Sequence, residues 1–138
     1  MTEVEMTYDR LDSSELRGTT QADYLIALDA DLQVVAAHQA LYEEPRFPVV
    51  ELARSLRVWL ADPSRGDFEF ESMSFEEVGS IAFRQTRQGW VFGSIFASEL
   101  PPMSLEWADV ELCCRQLISR VEEDLAGLGI NPGEVLRQ

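Results

Sequence analysis

The chain has 138 residues, is 46% apolar, and sets 25 acidic side chains against 11 basic ones, all of them arginine, for a formal net charge of −14. That length suits one domain, residues 1–138, with a single core. The charge excludes a nucleic-acid backbone as partner, which needs clustered Lys and Arg, and no apolar run approaches the roughly 18 residues that span a bilayer.

In chain order, residues 3–10 set Val4, Met6 and Tyr8 against charged neighbours, which predicts a first strand at a sheet edge. Leu11–Gln21 reads as a loop. Ala22–Asp29 reads as a second strand, with Tyr24, Ile26 and Leu28 on one face. Asp29–Asp31 reads as a turn and Leu32–Leu41 as a third strand. Tyr42–Pro48 leads into a helix that has Pro48 at its first position. Val49, Leu52, Ala53, Leu56 and Leu60 form its stripe, and Ala61–Gly66 stops it.

Residues 67–75 then alternate strictly, with Phe68, Phe70 and Ser72 opposite Asp67, Glu69, Glu71 and Met73, the pattern of a half-buried strand. Residues 76–79 connect it to Ser80–Thr86. Trp90–Ala97 is apolar on both faces and reads as a central strand. Two hairpin registers compete. A loop of Arg87, Gln88 and Gly89 puts Arg84 opposite Phe92. A loop of Gln88 and Gly89 puts Gln85 opposite Phe92 and gathers Ile81, Phe83, Trp90, Phe92 and Phe96 on one face, the better core.

Ser104 is the expected cap of a last helix whose stripe is Trp107, Val110, Cys114, Leu117, Val121 and Leu125. Gly127 and Gly129 end it, and Ile130–Gln138 is a tail. The order βββ-α-βββ-α predicts an α+β domain: an antiparallel sheet of five to six strands with two helices packed on one face.

The residues offer no constellation for catalysis. There is no Gly-rich phosphate loop, no G-x-S-x-G and no HExxH, so neither a cofactor nor a metal is expected. His38, the single histidine, lies in the predicted third strand beside no acid–nucleophile pattern and reads as structural. Cys113 and Cys114 are adjacent, fit no metal spacing, and read as small buried apolar residues. The segment 67–77 holds five acids and no base.

The runs Tyr42-Glu43-Glu44-Pro45, Phe47 to Ala53, Phe70 to Glu77 and Gly89 to Ser94 resemble a family of small acidic actinobacterial proteins of unknown function. In size, acidity and layout that family resembles the immunity proteins of bacterial polymorphic toxin systems. The resemblance implies a fold and a binding role, and carries over no catalytic residue. The resulting expectation is a cytoplasmic, non-enzymatic binding protein that steers a basic protein partner to its acidic surface and occludes it. Glu69, Glu71, Glu76, Glu77 and Trp90 are assigned to the contact. The competing readings are a self-associating module, a homodimer through a strand edge, and a small-molecule binder or enzyme with acids in a pocket between sheet and helices.

Overall fold

A computed structural model of the chain describes residues 4–74, 76, 78–97 and 103–137. Its elements are β1 (Val4–Asp12), α1 (Gln21–Ala27), β2 (Asp29–Ala36), β3 (Gln39–Phe47), α2 (Val49–Ala61), β4 (Phe68–Glu69), β5 (Ala82–Thr86), β6 (Gly89–Gly93), α3 (Trp107–Gly127) and α4 (Pro132–Val135). The class is α+β, as the element order predicts. The strands form two antiparallel three-stranded sheets, β1-β2-β3 and β4-β5-β6, in place of one. Helix α2 lies against α3 and β2, and α3 also lies against β1 and β6. Two short helices, α1 and α4, join them.

Residues 22–29 are mainly helix, not strand. Thr20 and Asp23 form a capping box: the Thr20 hydroxyl accepts from the Asp23 amide, and the Asp23 carboxylate accepts from the Thr20 amide at 3.0 Å. That satisfies two helix-end groups. Leu25 and Leu28, three apart, then face the core, while Ile26 faces solvent.

The next hairpin turns at Ala37–His38, with Ala36 opposite Gln39, so the expected turn at 29–31 lies inside β2 and the expected lead-in at 42–47 is strand β3. Both turn residues hold positive φ, 50° and 63°. His38 therefore sits exposed at a hairpin tip and not in a strand.

Helix α2 begins at Val49, with Pro48 as its cap residue. It buries Val49, Val50, Leu52, Ala53, Leu56 and Trp59, close to the predicted stripe. Helix α3 is capped by Glu106 and Asp109 in a reciprocal box, two residues after the expected Ser104. It buries Val110, Cys113, Cys114, Leu117, Ile118, Val121 and Leu125. The tail docks: Val135 and Leu136 are buried, and the Gln21 amide donates to the carbonyls of Val135 and Arg137.

In the second sheet Thr86 pairs with Gly89, Gln85 with Trp90 and Phe83 with Phe92. The loop is Arg87-Gln88, a register displaced by two residues from the preferred two-residue alternative. A shift of two preserves the faces. Ile81, Phe83, Trp90 and Phe92 are therefore all in the core, as that alternative predicts, while Phe96 lies beyond the strand and is about half exposed (49%).

Strand β6 is an edge and not a centre, its free side bridged antiparallel to Leu105 by Trp90–Leu105 hydrogen bonds of 2.7 and 2.8 Å. Gly89 is needed there. Its φ is 130°, and a Cβ would stand 2.8 Å from the Leu105 carbonyl oxygen. One core joins both sheets. Its aromatic centre is Trp59, stacked on Phe83 with centroids 6.1 Å apart and edge-on to Trp90 and Trp107.

Candidate functional site

The predicted strand 67–75 pairs only at Phe68 and Glu69. Its alternation still sets burial: Phe68, Phe70 and Ser72 are buried, while Glu69, Glu71 and Met73 are exposed. The register holds for one more bond and then ends, because Gly79 takes the Phe70 carbonyl. The Phe70 amide donates to the Ile81 carbonyl at 2.8 Å, and the Gly79 amide donates back to the Phe70 carbonyl at 2.9 Å. The chain thus leaves the sheet after Phe70 and returns to the same residue at Gly79.

A buried carboxylate holds that loop from beneath. Glu51, in the first turn of α2, is 3% exposed. It accepts from the Ser72 hydroxyl at 2.5 Å and from the Met73 amide at 2.9 Å. The Ser72 hydroxyl oxygen in turn accepts from the Ser74 amide at 2.9 Å. Sequence reasoning treated Glu51 only as part of a resembling motif. The available signal was an acid amid the apolar run Val49-Val50-Glu51-Leu52-Ala53.

The loop's far end meets a tight turn after β6. The Ile95 amide donates to the Gly79 carbonyl at 2.9 Å, and Ser94 and Ala97 form an isolated bridge. Met73, Val78, Ile95 and Phe96 are 43% to 58% exposed, a high figure for large apolar side chains drawn from two adjoining segments.

Exposed acids flank two of them in sequence, Glu71 before Met73 and Glu76 before Val78. Glu69 accepts a 2.9 Å ion pair from Arg84 with both side chains about half exposed. Such a pair contributes at most about 1 kcal/mol and stays open to exchange with another cation. Of the residues assigned to the contact, Glu69, Glu71 and Glu76 are exposed. Glu77 lies outside the described residues. Trp90 is corrected to a core residue, 7% exposed in the aromatic centre, because the observed register turns it inward.

A second acidic region was missed because its acids are scattered along the chain. The outer face of the first sheet carries Glu5, Asp9, Asp31 and Glu43, and a cleft of about 290 Å³ is lined by Asp9, Asp31, Glu43 and, from the other side of β3, Glu44. Asp9 and Asp31 stand directly opposite each other, an arrangement that costs stability unless cations attend it. Arg120 lies 3.8 Å from Asp9 and Arg10 lies 4.0 Å from Asp31, all on exposed or half-exposed side chains. The inner side of β3 adjoins the turn at 94–97 through buried Tyr42. The Tyr42 hydroxyl donates to Glu44 at 3.3 Å and also lies within hydrogen-bond reach of Ser94. Burial first, and Glu44 second, push the Tyr42 hydroxyl well above its ordinary value.

A groove of about 500 Å³ lies between β6 and the start of α3, lined in part by Trp90, Trp107, Glu106 and Asp109. Both carboxylates are engaged in the α3 capping box, and the Arg65 guanidinium lies 4.0 Å from the centre of the Trp107 ring. These groups hold the fold. Among the described residues no group of three or more His, Cys, Asp or Glu is placed to hold a metal ion, and no helix is long and apolar enough to cross a membrane.

A family model described as a domain of unknown function (DUF7878) matches residues 4–127. No curated protein and no solved structure matches the chain.

Proposed function

We propose that this chain, which belongs to the DUF7878 family, is a non-enzymatic binding protein that occludes a basic protein partner. The observation that carries the reading is the juxtaposition at the 71–78 loop and the 94–97 turn. Met73, Val78, Ile95 and Phe96 are exposed, and so are Glu69, Glu71 and Glu76. Apolar anchors with a charged rim are the anatomy of a protein-binding surface. A net charge of −14 selects a partner of opposite sign.

The acids bring the partner in, and the apolar side chains retain it. Glu69 exchanges Arg84 for a partner's cation at little cost. The resemblance of the chain in size, acidity and layout to toxin immunity proteins is the ground for proposing a partner whose own site is basic, such as a nuclease, with the cytoplasm as the proposed place of action. Self-association through a sheet edge is the weaker reading. Strand β1 presents Glu5, Asp9 and Asp12 along its length, and β3 carries Pro45 and a positive-φ Arg46, all of which discourage pairing with a second copy.

The test is capture of partners from the native host by the wild-type chain, by Met73→Asp, by Glu71→Arg with Glu76→Arg, and by a control, Leu112→Asp, on exposed α3. Washes at roughly 0.05 M and 0.5 M salt separate steering from retention. The expected result is a basic protein held by wild type and control, lost from both loop variants, and released at high salt. Capture that ignores the loop substitutions, or a prey-free bait that runs as a dimer, overturns the reading.

A further inference from the structure

We infer that Glu51 is a positioning residue that presents Met73 to the partner, by holding the 72–74 turn from inside the domain. The inference rests on the docking reading above and adds to it how the surface is held in shape. Position 51 is surrounded in sequence by Val49, Val50, Leu52 and Ala53, all fully buried, where an apolar side chain would be the stable choice. Burying a carboxylate there is costly unless each oxygen finds a donor.

Both donors come from one turn. Glu51 Oε1 takes the Ser72 hydroxyl, Oε2 takes the Met73 amide, and the Ser72 hydroxyl oxygen takes the Ser74 amide. One side chain of α2 therefore fixes Ser72 and Met73, and Ser72 in turn holds Ser74. The result is an inward Ser72, 7% exposed, next to an outward Met73, 58% exposed. An unbranched methionine on a free loop would fold down against the core. Held by its own amide, it stays in water with its backbone already ordered, which lowers the entropic cost of binding.

Amide hydrogen exchange on the full chain tests this without a partner. In Glu51→Ala the Met73 and Ser74 amides should exchange about tenfold faster or more, the effect of losing a hydrogen bond to a charged acceptor. In Glu51→Gln the rise should be smaller, because the amide oxygen still accepts one donor. The amides of α3 should keep their wild-type rates. A Met73 amide that exchanges at the wild-type rate in Glu51→Ala overturns the inference. So does an equal rise across α2 and α3, which makes Glu51 an ordinary stability residue. If Glu51→Ala does not fold, Ser72→Ala decides. It leaves the carboxylate in place and should speed the Ser74 amide more than the Met73 amide, and an unchanged Ser74 rate overturns the inference. Faster Met73 exchange in a protein that captures no basic partner removes the docking reading and leaves the hold on the turn standing.

Discussion

The Cys113 and Cys114 thiols on α3 are 1% and 0% exposed, and burial pushes Cys113 up to about 12 and Cys114 well above its ordinary value of 9.0. The Tyr8 hydroxyl is raised too, first by burial and then by its 2.5 Å hydrogen bond to Asp124, beside an Arg120 guanidinium 4.1 Å from the centre of the Tyr8 ring. Each is an acid kept neutral by folding. The unfolded chain releases its thiol protons near 9 and its phenolic protons near 10, whereas the folded chain retains them to higher pH. Above pH 9 the unfolded state binds fewer protons, so stability is fully present below that value and falls as pH rises through it. The urea midpoint should hold from neutrality to about pH 9 and then decline, with a slope of up to about 1.4 kcal/mol per pH unit for each buried thiol. A midpoint flat to pH 11 would contradict the burial of these groups. The same thiols should resist an aqueous thiol reagent until the protein unfolds. Separately, Tyr8→Phe removes the donor to Asp124 and should cost about 1–2 kcal/mol in urea denaturation, since Arg120, 3.9 Å from Asp124, still attends the carboxylate.

Turn chemistry decides how much of each element can be read in advance. The β2–β3 hairpin needs left-handed backbone at both loop positions, for which Asn-Gly is the usual signal. Here Ala37 and His38 hold those conformations with a Cβ in the way, so the hairpin is strained and carries no turn signature. Ala37→Asn with His38→Gly should therefore stabilise the domain by about 1 kcal/mol, read as a shift in the denaturation midpoint. An unchanged or lowered midpoint would mean that the tip is not under strain. The same hidden turn explains why residues 29–47 were divided wrongly. Helix α1 failed for a different reason. Residues 22–28 fit period two through Tyr24, Ile26 and Leu28 and a helical spacing through Leu25 and Leu28, and only the Thr20–Asp23 capping box separates the alternatives. By contrast α2 and α3 were legible, because long stripes of Leu, Val and Trp at three and four residue spacing admit one reading. From Asp67 to Met73 the alternation gave the burial of each side chain yet neither the exposure of Ser74 nor the pairing, since Glu51, sixteen residues before Asp67, takes donors at Ser72 and Met73. The same distance in sequence hid Glu51 from the candidate site. Glu69, Glu71 and Glu76 were visible because they are clustered. The acids of the outer sheet face were not, because β1, β2 and β3 bring them together only after folding.

For the whole molecule, charge acts on folding and on binding in opposite senses. The −14 net charge is spread over 138 residues, with Asp9 set against Asp31 on the outer sheet face and Asp12 against Asp29 at its end. The side chains of the ion pairs that offset it, such as Arg84–Glu69 and Arg115–Glu111, are 40–60% exposed, so each contributes little. Self-repulsion then outweighs pairing, and screening it should help the fold. Raising sodium chloride from roughly 10 mM to 0.5 M should lift the melting temperature by a few degrees. A drop would mean that the surface pairs matter more than the net charge. For a complex with a basic partner the sign reverses, because the same ions screen attraction and slow encounter. The two responses can be measured in one buffer series. A partner released at a salt concentration where the chain itself is more stable has been lost through screening of the interface. It has not been lost through unfolding, and the exposed acids that flank Met73 and Val78 in sequence are then the place to look for the contact.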